Sequence, residues 1–315
     1  MPIEIRRYDN SMKSEWNAFI KAAKNGTFLF MRDYMDYHSC RFADHSLMFY
    51  NAGKLLAVLP ANIKEEEEKA LVSHGGLTYG GFVMHPDTKA CEIIEAVEEL
   101  KRYMQHNGIK KLIYKPIPYI YSKAPSEEPL YALFRAGATI SARTISTTID
   151  NNERLKFSQL RKRCIAKATK AGIECNESTD FDAFWDILTE TLQARHNCRP
   201  VHTKEEIKLL HSRFPNNIKL HTANNNGKPI AGIVVYDTDT TAHFQYIAAS
   251  DEGYSTGALD RLIQHLIEER YTHKRFIDFG ISTEQGGTIL NEGLIKQKEG
   301  FGGRAVVYDT YELNI

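Results

Sequence analysis

The chain has 315 residues, which predicts about two domains at the usual roughly 100 to 200 residues each. Its 40 Lys and Arg balance 40 Asp and Glu, with near balance in both halves, so no global field draws it toward nucleic acid or an acidic membrane. Its 5 cysteines (Cys40, Cys91, Cys164, Cys175, Cys198) form no CxxC pair, which argues for reduced thiols and a cytoplasmic protein. The start, MPIEIRRYDN, lacks the apolar core of a signal peptide, and no apolar run approaches a membrane span.

In chain order, Ile3 to Tyr8 alternates as a short strand, and Ser14 caps a helix with Trp16, Phe19, Ile20 and Ala23 on its apolar face. An aromatic-rich helix is expected over Phe28 to Tyr37. Leu47–Tyr50 and Leu55–Ile63 flank a Gly-containing turn and predict a hairpin. The acidic run Glu65 to Glu68 reads as a solvated hairpin tip. The segment VSHGGLTYGGFV carries Gly75, Gly76, Gly80 and Gly81, and glycines inside a strand mark a bulge or the close approach of a ligand or another backbone. A long helix follows from Lys89 to His106, then a strand from Lys110 to Ile117, a short helix from Pro129 to Arg135, and a strand from Ala138 to Ile149 that closes the half.

The second half repeats that order. Helices are expected at Phe181–Arg195 and Glu205–Phe214, and a hairpin at Ile218–Ala223 and Ile230–Tyr236. From His243 the pattern changes from alternation (Phe244, Tyr246, Ala248) to helical spacing (Leu259, Leu262, Ile263, Leu266, Ile267) and back to an apolar run at Phe276–Phe279. This predicts strand, helix, strand, with the helix N-terminus at the strands' C-terminal edge, where backbone N–H groups favour an anion. The glycine turn there, Gly253 to Gly257, follows a strand containing Tyr246 and ending near Ser250, and offers Ser255, Thr256 and Gly257 as a phosphate seat. A last strand is expected at Ala305–Leu313. Between the halves, residues 154–170 hold Arg154, Lys156, Arg161, Lys162, Arg163, Lys167 and Lys170 with no acid; this basic amphipathic helix is either a phosphate-binding element or an exposed linker.

The order in each half resembles the acyltransferase fold called GNAT. Two copies, with Tyr79-Gly80-Gly81, the RKRCIAKATKAG segment, Phe276-Ile-Asp-Phe-Gly280 and Lys298-Glu-Gly-Phe-Gly302, resemble the FemABX-type double-GNAT family. The resemblance implies an α/β fold with α+β mixed sheets, made of two tandem GNAT-like domains at residues 1–150 and 151–315. It also implies transfer of an acyl or aminoacyl group from a thioester or aminoacyl-tRNA to an amine of a peptidoglycan or saccharide precursor of the bacterial cell envelope. Acyl-CoA or aminoacyl-tRNA would then be a co-substrate rather than a tightly bound cofactor, with a small, lipid-linked or nucleotide-linked acceptor. The chain departs from CoA-dependent members, because neither Gly253 nor Gly257 has Arg or Gln three positions before it, and the matching turn of the first half contains Pro86 and no glycine. The other reading is a degenerate double-GNAT binding module for a nucleotide-sugar or RNA.

Transfer needs an amine deprotonated at or before attack, donors for the oxyanion and an acid for the leaving group. Tyr246 is the candidate acid, or a core aromatic bonded to backbone. Asp278, one strand over, is a candidate to orient the amine or act as base, or a carboxylate capping backbone. Lys298 matches the family's lysine and pairs with a phosphate or ribose, or else is surface. Tyr79, Gly80 and Gly81 line the acceptor side on this reading. Gly253-Tyr-Ser255-Thr-Gly257 also satisfies the nucleophile-elbow pattern, yet the only later histidines, His265 and His273, give Ser255 no plausible partner. His196, Cys198 and His202 lack zinc-ligand spacing, so no metal is expected.

Overall fold

The computed structural model describes residues 3–65 and 68–315. Glu66 and Glu67 of the acidic run, and the side chain of His196, lie outside the described residues. The chain forms two compact units: Met1–Thr144 with Glu284–Ile289 and Val307–Ile315, and Ile145–Thr283 with Leu290–Val306.

In the first unit the strands are β1 (Glu4–Arg7), β2 (Ala43–Asp44), β3 (Leu47–Asn51), β4 (Lys54–Leu59), β5 (Asn62–Lys64), β6 (Ala70–Val72), β7 (Val83–Met84), β8 (Lys111–Tyr114) and the first part of β9 (Thr139–Asp150). Its helices are α1 (Lys13–Ala22), α2 (Arg32–Met35), α3 (Ala90–His106) and α4 (Glu128–Arg135). The expected hairpin is β3–β4, part of a sheet ordered β1-β3-β4-β7. Helix α3 lays Ile93, Ala96, Val97, Leu100 and Met104 along one stripe and buries it against strand residues such as Leu112 and Tyr114. The aromatic helix expected over 28–37 is instead a 3-10 turn, the short α2 and a second 3-10 turn. Side chains of α1 take its backbone groups out of the helical ladder: Trp16 Nε1 donates to the Phe30 carbonyl at 2.7 Å, and the Arg32 N–H donates to Asn17 Oδ1 at 2.9 Å.

The second unit holds α5 (Gln159–Lys170), β10 (Glu174–Ser178), α6 (Phe181–His196), α7 (Lys204–Arg213), β11 (Ile218–Asn225), β12 (Lys228–Asp237), β13 (Thr241–Ala249), α8 (Asp251–Thr256), α9 (Ala258–His265) and β14 (Phe276–Ile281). After β15 (Thr283–Glu284) and β16 (Ile289–Leu290) come α10 (Glu292–Glu299) and β17 (Arg304–Asn314). The sheet order is β10-β11-β12-β13-β14-β9, antiparallel except for the β13–β14 pair. Its two faces are set by the alternation of β12. Ala231, Ile233 and Val235 join α9 in the main core, whereas Gly232 faces Phe184 of α6 so closely that a Cβ there would run into the ring.

The units do not divide at residue 150, because the closing strands do not stay with the halves that precede them. Residues 145–150 of β9 belong to the second unit, where Ile149 pairs with Ile277 and is buried in its core. Residues 307–315 belong to the first, where Tyr311, Glu312 and Leu313 of β17 pair with Tyr114, Ile113 and Leu112 of β8. No helix among the described residues is long and apolar enough to cross a membrane.

Candidate active site

Parallel strands β13 and β14 pair over only three positions, Thr241–Phe276, Ala242–Ile277 and His243–Asp278. Beyond these they part. Both strands carry an irregularity at that point: β13 skips Gln245 in its register with β12, and β14 shifts its register with β9 between Asp278 and Ile281, where Gly280 has a φ of 74°. An extra residue bends and twists a strand away from its neighbour. A cleft of about 420 Å³ opens here, and Phe244, Gln245 and Ile247 of β13, Phe279 of β14, Leu192 of α6 and Lys298 of α10 are among its walls. The lining is mostly apolar, with a few polar groups. One is Gln245, whose Oε1 is buried without a hydrogen-bond partner. From Phe244 onward the edge of β13 that faced β14 has no strand along it, and such an edge presents backbone N–H and C=O groups.

Lys298 is buried, and its ammonium donates to the carbonyls of Gly280 and Ile281, both at 2.8 Å. It therefore closes the end of β14 rather than lying on the surface. Burial pushes its pKa down to about 8, partly offset by the nearby Asp278. An ammonium has three N–H donors, and the two carbonyls take two of them.

Asp278 is fully buried and enclosed by donors: Thr148 Oγ1 at 2.9 Å, Ser146 Oγ at 2.5 Å, and His243 Nδ1 at 2.7 Å. It caps no backbone N–H in these contacts; it fixes an imidazole. With Nδ1–H donated to the carboxylate, the acceptor nitrogen of a neutral His243 is Nε2. The ring lies beside Gly280, whose Cβ position would be 3.4 Å from His243 Cε1. The row His243, Asp278, Thr148 runs straight across three adjacent strands.

Tyr246 is not among the residues lining the cleft. The register skip at Gln245 sends Phe244 and Tyr246 to opposite faces. Phe244 enters the core with α9, while Tyr246 packs edge-on to Trp185 of α6, its hydroxyl 2.5 Å from His202 Nδ1. The strand's alternation had grouped the two together.

Ser255, Thr256 and Gly257 lie at the end of α8, and the structure gives each a bonding partner inside the fold. Ser250, not Ser255, is the N-cap, accepting from the Gly253 N–H at 3.1 Å. The hydroxyls of Ser255 and Thr256 both donate back to the Glu252 carbonyl. The Gly257 N–H closes on the carbonyls of Gly253 and Tyr254, and the residue, at φ 81°, leaves no room for a Cβ against the Cys164 carbonyl of α5. Among the described residues no histidine is hydrogen-bonded to Ser255, whose hydroxyl is bonded to Glu252 rather than arranged as a nucleophile.

In the first unit, Tyr79 is buried with its ring 4.3 Å from that of Tyr121, and its hydroxyl is 3.4 Å from Thr27 Oγ1. A Cβ on Gly80 would run into the Ser73 carbonyl, and one on Gly81 (φ 83°) would sit 2.5 Å from the Tyr114 hydroxyl. That hydroxyl accepts from the Phe82 N–H at 2.8 Å. The glycine pair thus answers to close approach by its own chain. In the basic segment, Arg161 bonds the carboxylate of Asp260 at 2.7 Å and Lys167 the carbonyl of Ser255 at 2.6 Å, holding α5 onto α8 and α9. Arg154, Lys156, Lys162, Arg163 and Lys170 stay exposed. Among the described residues no group of three His, Cys, Asp or Glu is placed to hold a metal ion.

Sequence reasoning missed His243 and Gln245. Gln245 is the one amide in the apolar run of β13, and a parallel register joining Asp278 to the preceding strand would have found His243.

Residues 156–285 match the family model described as an acetyltransferase (GNAT) domain. No curated protein matches the sequence. Solved structures are similar over nearly the whole chain. They include FemX (TM-score 0.70, 9% identity, 99% of this chain and 97% of that one). Another is L-PGS from Bacillus licheniformis (0.62, 11% identity, 98% and 92%). A third is a tandem GNAT protein from the clavulanic acid biosynthesis pathway (0.50, 12% identity, 99% and 98%). The chain thus carries a GNAT domain in its second unit and has the fold of the FemABX-like double-GNAT proteins.

Proposed function

We propose that this protein is an acyl- or aminoacyltransferase whose donor, a thioester such as acyl-CoA or an aminoacyl-tRNA, places its acyl end between β13 and β14, and whose acceptor is an amine of a cell-envelope or saccharide precursor. The observation that carries this reading is the parting of the parallel pair around an apolar cleft with a buried, unpartnered amide oxygen at Gln245 and an ammonium at Lys298. Concave, mostly apolar sites with a few convergent polar groups are what small acyl donors require.

In the transfer, the acceptor nitrogen attacks the acyl carbon, the C–S or C–O bond breaks, and the leaving group takes up a proton. Negative charge gathers on the carbonyl oxygen, where the open edge of β13 and the remaining Lys298 N–H supply donors. The proton that the amine gives up is the one the leaving group takes up, relayed through solvent in the cleft. Asp278 and His243 are not among the residues lining the cleft; their network with Ser146 and Thr148 ties β13, β14 and β9 together where the pairing ends. The 255–257 turn, with the Gly257 N–H already bonded, is set aside as the seat of the donor's phosphates on this reading.

A thermal-shift panel of acetyl-CoA, longer acyl-CoAs, aminoacyl-tRNA and nucleotide-linked precursors tests it. A ligand at a hundred times its dissociation constant adds about 2.7 kcal/mol. At least one donor is expected to stabilise the protein, and Leu192→Trp, which fills the cleft from α6, is expected to erase that shift. No stabilising donor, or a shift indifferent to Leu192→Trp, would sink the reading.

A further inference from the structure

The exposed face of the second unit around residues 154–163 carries chemistry that the transfer does not use. Arg154, Lys156 and Lys162 stand around a second cleft of about 420 Å³ whose walls also include Leu155 and Ile165. All three cations are exposed, and neither they nor Arg163 has an ion-pair partner among the described residues. One carboxylate, Glu268, faces the same cleft and accepts from Gln264 Nε2 at 2.8 Å. The first turn of α5 contains no acid, although a helix N-terminus favours negative charge and disfavours cations. Packing against α9 does not require this arrangement, because Ile165, Ala168 and the Arg161–Asp260 pair already provide it.

Two large aliphatic side chains of the same segment are exposed: Leu155 at 44%, which lines the cleft with these cations, and Leu160 at 51%, in the first turn of α5 and three positions from Arg163. A surface that binds nucleic acid combines cations with aromatic or guanidinium platforms on which bases stack. Here the guanidiniums of Arg154 and Arg163 are present but no exposed aromatic side chain lies in the 154–163 segment, whereas its exposed leucines suit the boundary between lipid headgroups and acyl chains. Cations that attract an anionic surface, with aliphatic side chains between them, match the charge and the depth profile of an acidic bilayer.

We infer that the exposed 154–163 segment, with Leu155 among the cations Arg154, Lys156 and Lys162 and with Leu160 beside Arg163, docks the protein on an anionic lipid surface. Docking there does not depend on the acyl cleft, which lies elsewhere in the same unit.

The test is co-sedimentation of the full chain with vesicles of phosphatidylcholine alone or mixed with phosphatidylglycerol, at low and high salt, with poly(U) binding measured alongside. Binding is expected with the anionic vesicles only, falling as salt rises. Lys156→Glu/Lys162→Glu/Arg163→Glu is expected to weaken it by at least about five-fold for each cation removed, from roughly 1 kcal/mol per basic residue. Leu155→Gln/Leu160→Gln, which leaves charge unchanged, should also weaken it. All five side chains are exposed, and circular dichroism checks that both variants stay folded. Equal binding to neutral vesicles, no binding at all, or binding unmoved by either variant would overturn the inference. So would tight poly(U) binding that the charge variant removes and the leucine variant leaves intact, since that is the signature of a nucleic-acid surface.

Discussion

Lys298 ties a single side chain to the pH dependence of the fold. Its folded pKa is about 8 against an ordinary 10.5, so between those values the unfolded chain holds a proton that the folded chain has shed. Stability then rises with pH across that window, and below pH 8 the penalty of burying the ammonium is present in full. Lys298→Met keeps the stem and removes the titration. The stability of the native protein relative to this variant is expected to climb by up to about 3 kcal/mol from pH 8 to 10.5. Urea midpoints at several pH values check this, and a constant difference would contradict it. A second buried group works at the acid end. His221, bonded to the Tyr271 hydroxyl at 3.0 Å, is pushed down to about 4 by burial. Its contribution is present above pH 6.5 and lost as pH falls through 4, so His221→Gln is expected to flatten the acid limb of the stability profile.

Among elements, the junction of α8 and α9 separates a packing role from a binding one. Gly257→Ala forces a side chain into the left-handed region and against the Cys164 carbonyl, and is expected to destabilise the protein by about 1 to 3 kcal/mol while donor affinity per folded molecule holds. Ser255→Ala, losing only a hydroxyl bonded back to Glu252, is expected to stay within about 0.5 kcal/mol. Thermal melts beside donor titrations check both; a selective loss of donor affinity in Gly257→Ala would restore the anion seat. The order of elements in each half was legible because alternation and helical spacing are local signals. Asp278 could be singled out from its place on the strand after Tyr246's, and Lys298 only from the resemblance to the double-GNAT family. The partners of Asp278 were not legible, since Ser146 and Thr148 reach it across a strand pairing that spans 130 or more positions. Nor was the direction of Tyr246, because one skipped residue in β13 reverses the alternation from which it was read.

For the molecule as a whole, the two units and the two halves of the sequence are different divisions. A fragment of residues 151–315 lacks Ile149 from its core and both hydroxyls that hold Asp278. It is expected to lack a cooperative melt, which circular dichroism would show; a sharp transition would mean that the missing strand is dispensable. The same exchange of strands bears on how the chain is made. Synthesis delivers the N-terminal part first, and domains generally fold as they emerge from the ribosome. Here the first unit meets β17, its partner for β8, only when residues 307–315 appear, after every residue of the second unit. During translation β8 therefore waits with one edge open, a template for unwanted pairing until the chain's last strand arrives.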